Sequence, residues 1–281
     1  MRIRHRTTYR YARPVALDPH RLLLRPRDGI AIQVQACKVE VSPAASLSWS
    51  VDVCGNAVAT ATFATPTDHL VIDSDVLVGL STPPWPVFDI AYAAQSYPFR
   101  YSDEDWTDLG ALALPQYEDP AGRLLAWAQG FVAPGRTDTL SLLMDLNLGI
   151  GRRIAYQSRE DEGTQSPLQT LDRGWGACRD YAVLFAEAAR VLGFGTRLVS
   201  GYVHDPDHII LGSGSTHAWA EVYLPGAGWI PFDPTNGRMG GHNLVPVAVG
   251  RRMTRIMPVT GSFFGPSDAF LGMSVEVALT D

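Results

Sequence analysis

Residues 178–195, CRDYAVLFAEAARVLGFG, restrict the fold more than any other stretch. At helical spacing Ala182, Phe185, Ala186, Ala189 and Leu192 form one apolar stripe, and apolar residues continue nearly all round. A helix of that kind is surrounded by protein rather than laid on a surface. Its main polar breaks are Glu187 and Arg190, which are expected to face solvent. Gly193 and Gly195 end the helical pattern, and period two takes over at once. TRLVSGYV, THAWAEVYLP and GWIPFDPTNG read as three strands, the last two joined by a short turn at 225–228. A central helix packed on an antiparallel sheet gives an α+β core.

The first 80 residues read as strands throughout. Ile3, His5, Thr7, Tyr9 and Tyr11 share one face of a first strand, with mostly Arg and Thr opposite. In IQVQACKVEV the apolar phase slips between Ala36 and Cys37, which predicts a bulge or a strand shared between two surroundings. WSVDVCGNAVATATF reads as a hairpin turning at Gly55 and Asn56, and HLVIDSDVLV closes a β-sandwich-like N-terminal domain. Residues 81–118 hold STPPWP and SYPFRYSDEDW without a sustained period and are expected to be a linker packed on the surface. The core then spans 119–281, C-terminal strands included. Its first helix follows Asp119 and Pro120, and its second starts near Thr137. The polar stretch 155–170 reads as an exposed loop.

A net charge of −6 with interspersed signs leaves no basic stripe for nucleic acid and no polybasic membrane patch. Apolar runs fall short of the ~18–20 residues that a membrane span needs. The basic N-terminus lacks the apolar stretch and cleavage site of a signal peptide, so a soluble, cytoplasmic protein is expected. Cys37, Cys54 and Cys178 have no metal-ligand spacing, and reduced thiols are expected in that compartment. No metal or organic cofactor is called for. Oligomeric state and substrate identity are not readable from the residues.

Cys178 stands where the central helix begins, after Gly174 and Gly176. A helix start offers unpaired N–H groups and partial positive charge, which favour a thiolate. The glycines would let a substrate backbone approach and N–H groups face an oxyanion. Taken alone, a small cysteine under a core helix explains the same residues. A thiol nucleophile also needs a base, and seven histidines, at 5, 20, 69, 204, 208, 217 and 242, are available. Of these, only His217 opens a strong strand, in which Trp219, Glu221 and Tyr223 share its face. A turn centred near Gly226 would set residue 217 against about residue 235, leaving Asp233 one diagonal step from His217. Nucleophile, base and orienting carboxylate in the order Cys178, His217, Asp233 form a triad.

WGACRDYAVLFAEAARVLGFGTRLVSGYV followed by HAWAEVYLPGAGWIPFDPTNG closely resembles the core of the bacterial transglutaminase-like family, which has the papain-like cysteine fold. HRTTYRYARPVALDPHRLLLRPRDG resembles the β-rich N-terminal domain of its bacterial members. The resemblance implies that Cys178 is the nucleophile, His217 the general base and acid, and Asp233 the orienting carboxylate. It further implies attack on a peptide or isopeptide-type amide of a peptide or protein substrate, a thioester acyl-enzyme, and transfer of the acyl group to water or an amine. A strict peptidase or amidase and a catalytically silent binding scaffold are the alternatives. Oxyanion or cleft roles are expected among Gln169, Trp175 and Trp219, and a structural role for Asp180 in the helix's first turn. One departure is VGRRMTRIMP, where related sequences carry GRD and further acidic residues. Arg251, Arg252 and Arg255 there suit either a solvated basic edge or an acidic ligand.

Overall fold

The computed structural model describes residues 1–83, 85–159, 163–204, 216–266 and 268–280. Strand β1 (Arg2–Leu17) alternates as expected: Ile3, His5, Thr7 and Tyr11 are buried and the arginines point outward. Next come β2 (His20–Leu22), β3 (Ile32–Ser42), β4 (Ser46–Val51), β5 (Ala57–Thr62) and β6 (Thr67–Leu80). One sheet runs β1–β6–β3, and the predicted bulge in β3 is a register shift between Val34 and Ala36. The other runs β2–β5–β4, closed by a turn in which the Asp52 carboxylate accepts the N–H groups of Cys54 and Asn56, each at 3.0 Å. Tyr11, Val15, Leu22, Leu24, Leu70 and Ile72 fill the space between the sheets.

Residues 81–118 are more ordered than a linker. They contain β7 (Ser96–Tyr97) and α1 (Asp103–Leu109), capped by the Ser102 hydroxyl, which accepts the Asp105 N–H at 3.0 Å. Three acidic residues in that first turn complement the helix dipole. Helix α2 (Arg123–Gln129) starts later than Pro120, yet Asp119 still organises it, accepting N–H groups from Arg123, Leu124 and Leu125. Then follow β8 (Thr137–Asp138), α3 (Thr139–Arg153), with Asp138 as cap, and β9 (Ala155–Tyr156). The stretch 155–170, expected as an exposed loop, is partly helical. Helix α4 (Pro167–Arg173) begins inside it with a Ser166–Gln169 capping box and proline at its first position.

Strand β10 (Trp175–Gly176) leads into the central helix α5 (Cys178–Val191). The core sheet consists of β11 (Thr196–Val203), β12 (Thr216–Leu224), β13 (Gly228–Asp233), β14 (Arg238–Met239) and β15 (Leu244–Gly250), ordered β14–β13–β12–β11–β15 and antiparallel throughout. Phe185 of α5 stacks on Phe232 of β13, with centroids 5.2 Å apart. Glu187 and Arg190 do not face solvent. They are buried and pair with each other; Glu187 accepts the Gln116 and Tyr117 N–H groups, and Arg190 donates to the Leu112 and Thr196 carbonyls. Residues 110–117 lie over that side of the helix, so its polar positions meet backbone instead of water.

The final strands leave the core. β16 (Val259–Thr260) pairs with β2, while β17 (Phe263–Phe264) and β18 (Phe270–Thr280) pair with β1. The expected grouping of all C-terminal strands with 119–281 is therefore corrected: the chain returns to complete the N-terminal sandwich. One apolar cluster runs across the junction, from Ile3, Val76 and Val78 to Tyr202, Ala218 and Val245. There the buried His5 ring bonds the Tyr202 hydroxyl through Nδ1 and Thr7 through Nε2, both at 2.9 Å. Burial pushes the His5 pKa down to about 4.

Candidate active site

Cys178 is the first residue of α5, with Ala177 extended before it as the N-cap. Four N–H groups at a helix start lack intrahelical acceptors, and alanine has no side chain to supply one. Asp180 takes over. Its Oδ2 accepts the Ala177 N–H at 3.0 Å, and its Oδ1 accepts the Gln165 N–H at 2.7 Å and pairs with Arg159 at 3.0 Å. Fully buried, this carboxylate ties the segment before α4 to the turn that carries Cys178. Among the described residues the Cys178 N–H has no acceptor, as the first-turn donors of a helix lack one within it.

The two glycines upstream each have a part in this arrangement. Gly174 has φ +69° and closes α4 in the left-handed conformation. A Cβ on Gly176 would lie 2.9 Å from the Asp180 Cβ, so glycine there lets the carboxylate fold back under the turn.

His217 and Asp233 come from neighbouring antiparallel strands. Pairing runs from Leu224 opposite Gly228 to Ala220 opposite Phe232, the register that a turn near Gly226 predicts; β13 ends at Asp233, and residue 235 lies in the turn that follows it. His217 Nε2 lies 2.9 Å from Asp233 Oδ2, with both side chains buried. The carboxylate also accepts the Asn236 side chain at 2.8 Å and the Thr235 N–H at 3.1 Å. An acceptor-only carboxylate fixes the proton on Nε2 and leaves Nδ1 for the thiol. Nδ1 is buried and makes no hydrogen bond among the described residues. Burial alone would lower the His217 pKa, but Asp233 and Cys178 outweigh it and push it up to about 10. Asp233, despite its own burial, is held below the usual carboxylate range, with the His217 charge the largest of the opposing influences. A base that is charged well above neutral pH beside a thiol is the electrostatic setting in which a thiolate persists.

Of the other predicted residues, Trp219 lies against the imidazole, whereas Gln169 and Trp175 make contacts of their own. Gln169 is exposed and accepts the Ser166 N–H in the α4 capping box. Trp175 carries the Arg173 guanidinium over its ring at 5.6 Å. Trp219 is completely buried among Val199, Val203, Leu244 and Val249, and stacks on His217 with centroids 6.1 Å apart, so it backs the imidazole from the core. Arg251 donates to the carbonyls of Ala111, Leu114 and Pro115, which removes it from ligand binding; Arg252 and Arg255 are exposed. His5, His20 and His69 belong to the N-terminal sandwich, and His208 lies outside the described residues. One residue beside the site escaped sequence reading. Tyr156 in β9 is within electrostatic reach of both Cys178 and Asp233.

Comparison with known proteins bears on the whole chain. Residues 125–234 match the Transglutaminase-like superfamily, and residues 1–79 match the Bacterial transglutaminase-like N-terminal region. An uncharacterized protein of Mycobacterium tuberculosis (strain ATCC 25618 / H37Rv) is 28% identical over 298 residues, covering 98% of this chain and 91% of its own length. Another, of Mycobacterium leprae (strain TN), is 25% identical over 289 residues, covering 99% and 98%. The solved structure of a candidate cysteine protease from Cytophaga hutchinsonii superposes with a TM-score of 0.75 at 20% identity, covering 100% of this chain and 92% of that one; the likeness is one of fold.

Proposed function

Because this chain belongs to the transglutaminase-like superfamily, with its core at 125–234 behind a bacterial transglutaminase-like N-terminal region, we propose that it is a cysteine-dependent acyl-transfer enzyme acting on peptide or isopeptide-type amides. The observation that carries this reading is the buried His217–Asp233 pair at 2.9 Å, in which both Asp233 and Cys178, at a helix start, favour the charged imidazole.

The chemistry follows from those positions. His217 takes the Cys178 proton, and the thiolate sulfur adds to the amide carbonyl carbon. The carbonyl π pair moves onto oxygen, giving a tetrahedral intermediate. When it collapses, the C–N bond breaks and the imidazolium returns its proton to the departing amine. A thioester then joins the acyl group to Cys178. Neutral His217 next deprotonates water or an incoming amine, which attacks the thioester and restores the thiol. Asp233 keeps the ring in the tautomer that presents Nδ1 and stabilises its charged form. No step calls on a metal or organic cofactor.

Alkylation by iodoacetamide tests the premise of this scheme. At pH 7 Cys178 should react faster than an ordinary thiol, whose pKa is about 8.5, and His217→Gln should bring the rate down to that of Cys37 or Cys54 in the same molecule. A slow Cys178, indifferent to His217, would remove the basis for a nucleophile.

A further inference from the structure

Tyr156 stands directly opposite Gly176 in the short parallel ladder of β9 and β10, two positions before Cys178. Both sides of that ladder are tied: the Ala155 N–H donates to the Gly174 carbonyl at 2.8 Å and the Gln157 N–H to the Gly176 carbonyl at 2.9 Å. Tyr181, in the first turn of α5, supports β9 from the helix. Its hydroxyl donates to the Ile154 carbonyl, and its ring meets that of Tyr156 edge-on, with centroids 6.2 Å apart and planes at 79°. The position of the Tyr156 ring relative to the nucleophile's turn is thus set by backbone pairing and by the helix that bears Cys178.

The phenol itself is uncommitted. Tyr156 is half-buried, and its hydroxyl has no hydrogen-bond partner among the described residues, although the buried tyrosine beside it does. Burial first, then the negative charges of Cys178 and Asp233, raise its pKa against the opposing Arg179, so the group stays an O–H donor at neutral pH. A donor that is fixed in place, partly open to solvent and close to the nucleophile has the features of an oxyanion contact.

Resting on the acyl-transfer reading above, we propose that the Tyr156 hydroxyl donates to the substrate carbonyl oxygen as Cys178 adds to its carbon. When the C–S bond forms, the carbonyl π pair becomes an oxyanion, which accepts from the Tyr156 O–H and the Cys178 N–H. Neither donor gives up its proton. On collapse the pair returns to form the thioester C=O, and the leaving group departs with the proton held by His217.

Two reactions of the same thiol separate this role from a structural one. Acetylation by p-nitrophenyl acetate passes through an oxyanion, whereas alkylation by iodoacetamide is a displacement at saturated carbon and does not. Tyr156→Phe keeps the ring against Tyr181 and removes only the hydroxyl. The variant should acetylate Cys178 roughly 10²-fold more slowly, while its iodoacetamide rate and its pH profile for alkylation stay those of the unaltered protein. Equal slowing of both reactions would overturn the proposal in favour of a role in placing the thiol, and so would unchanged acetylation. If the unaltered protein forms no acetyl thioester at Cys178, the acyl-transfer reading fails and the donor role with it; the alkylation rate then reports separately whether the thiol is activated.

Discussion

Asp180→Asn is the perturbation that should reach furthest from a single atom. Aspartate at this position accepts from Ala177 and Gln165 and pairs with Arg159, and neither member of the pair is more than 10% exposed. Asparagine keeps the shape but offers one acceptor oxygen and no charge, so an NH2 group faces one of the two N–H donors. Arg159 is left as a buried charge without its partner. Breaking such a pair from one side costs about 3–5 kcal/mol, and the lost N–H acceptor falls largely within that figure because the contacts form one network. At roughly 2–4 °C per kcal/mol for a domain of this size class, the melting temperature should drop by about 10 °C. Thermal unfolding followed by circular dichroism measures it, with Asp75→Asn as control. Asp75 pairs with Arg2 on the open face of the N-terminal sheet, where the loss should leave the melting temperature unmoved. The iodoacetamide rate of Cys178 should fall alongside stability, because Ala177 loses its anchor. An Asp180→Asn protein as stable as the Asp75→Asn control would refute the view that this carboxylate holds the nucleophile's turn.

Three further outcomes follow from other buried ionisable groups. Replacing Glu187 by Met strands Arg190 and should cost about 3–5 kcal/mol in urea unfolding, whereas replacing both by Met should recover part of that loss. His5 resists protonation in the fold while the unfolded chain takes up its proton near 6.5, so its contribution is intact above pH 6.5 and declines as pH falls towards about 4. A shift of that size corresponds to about 3 kcal/mol, and His5→Gln should flatten the dependence of melting temperature on pH across that window. Asp233→Asn removes the charge that, together with Cys178, outweighs burial at His217, and should slow alkylation of Cys178 at pH 7 by on the order of tenfold; an unchanged rate would mean that the imidazole needs no orienting carboxylate.

Local patterns in the sequence carried much of this structure. The central helix, the strand faces of the sandwich and the register of β12 on β13 all follow from spacing and turn length, because those are short-range constraints. Helix α4 was equally legible in SPLQTLDRG, with serine and proline to start it, glutamine to complete the box and Gly174 to stop it; the polar residues just before it masked the signal. Other features depend on what lies across from a residue in space. Glu187 and Arg190 look solvated on a helical projection, and only the path of 110–117 over the helix turns them into a buried pair. β18 carries no mark that its partner is β1 at the opposite end of the chain. Tyr156 is a single aromatic residue outside any motif, and its proximity to Cys178 arises from a two-residue parallel ladder with no periodic signature. Asp180, by contrast, stands in a helix's first turn, where a structural role is legible from position alone, and its contacts to Ala177, Gln165 and Arg159 are of that kind.

The central claim is that an acyl group resides on Cys178 during the reaction. A mixed peptide digest of casein can be incubated briefly with the protein and quenched in acid, and the three cysteine-bearing peptides then weighed. All three cysteines are free thiols, so Cys37 and Cys54 serve as internal references. The account predicts a hydroxylamine-labile acyl adduct on Cys178 alone, absent after Cys178→Ala. Acyl adducts spread equally over the three cysteines, or none at Cys178, would contradict it.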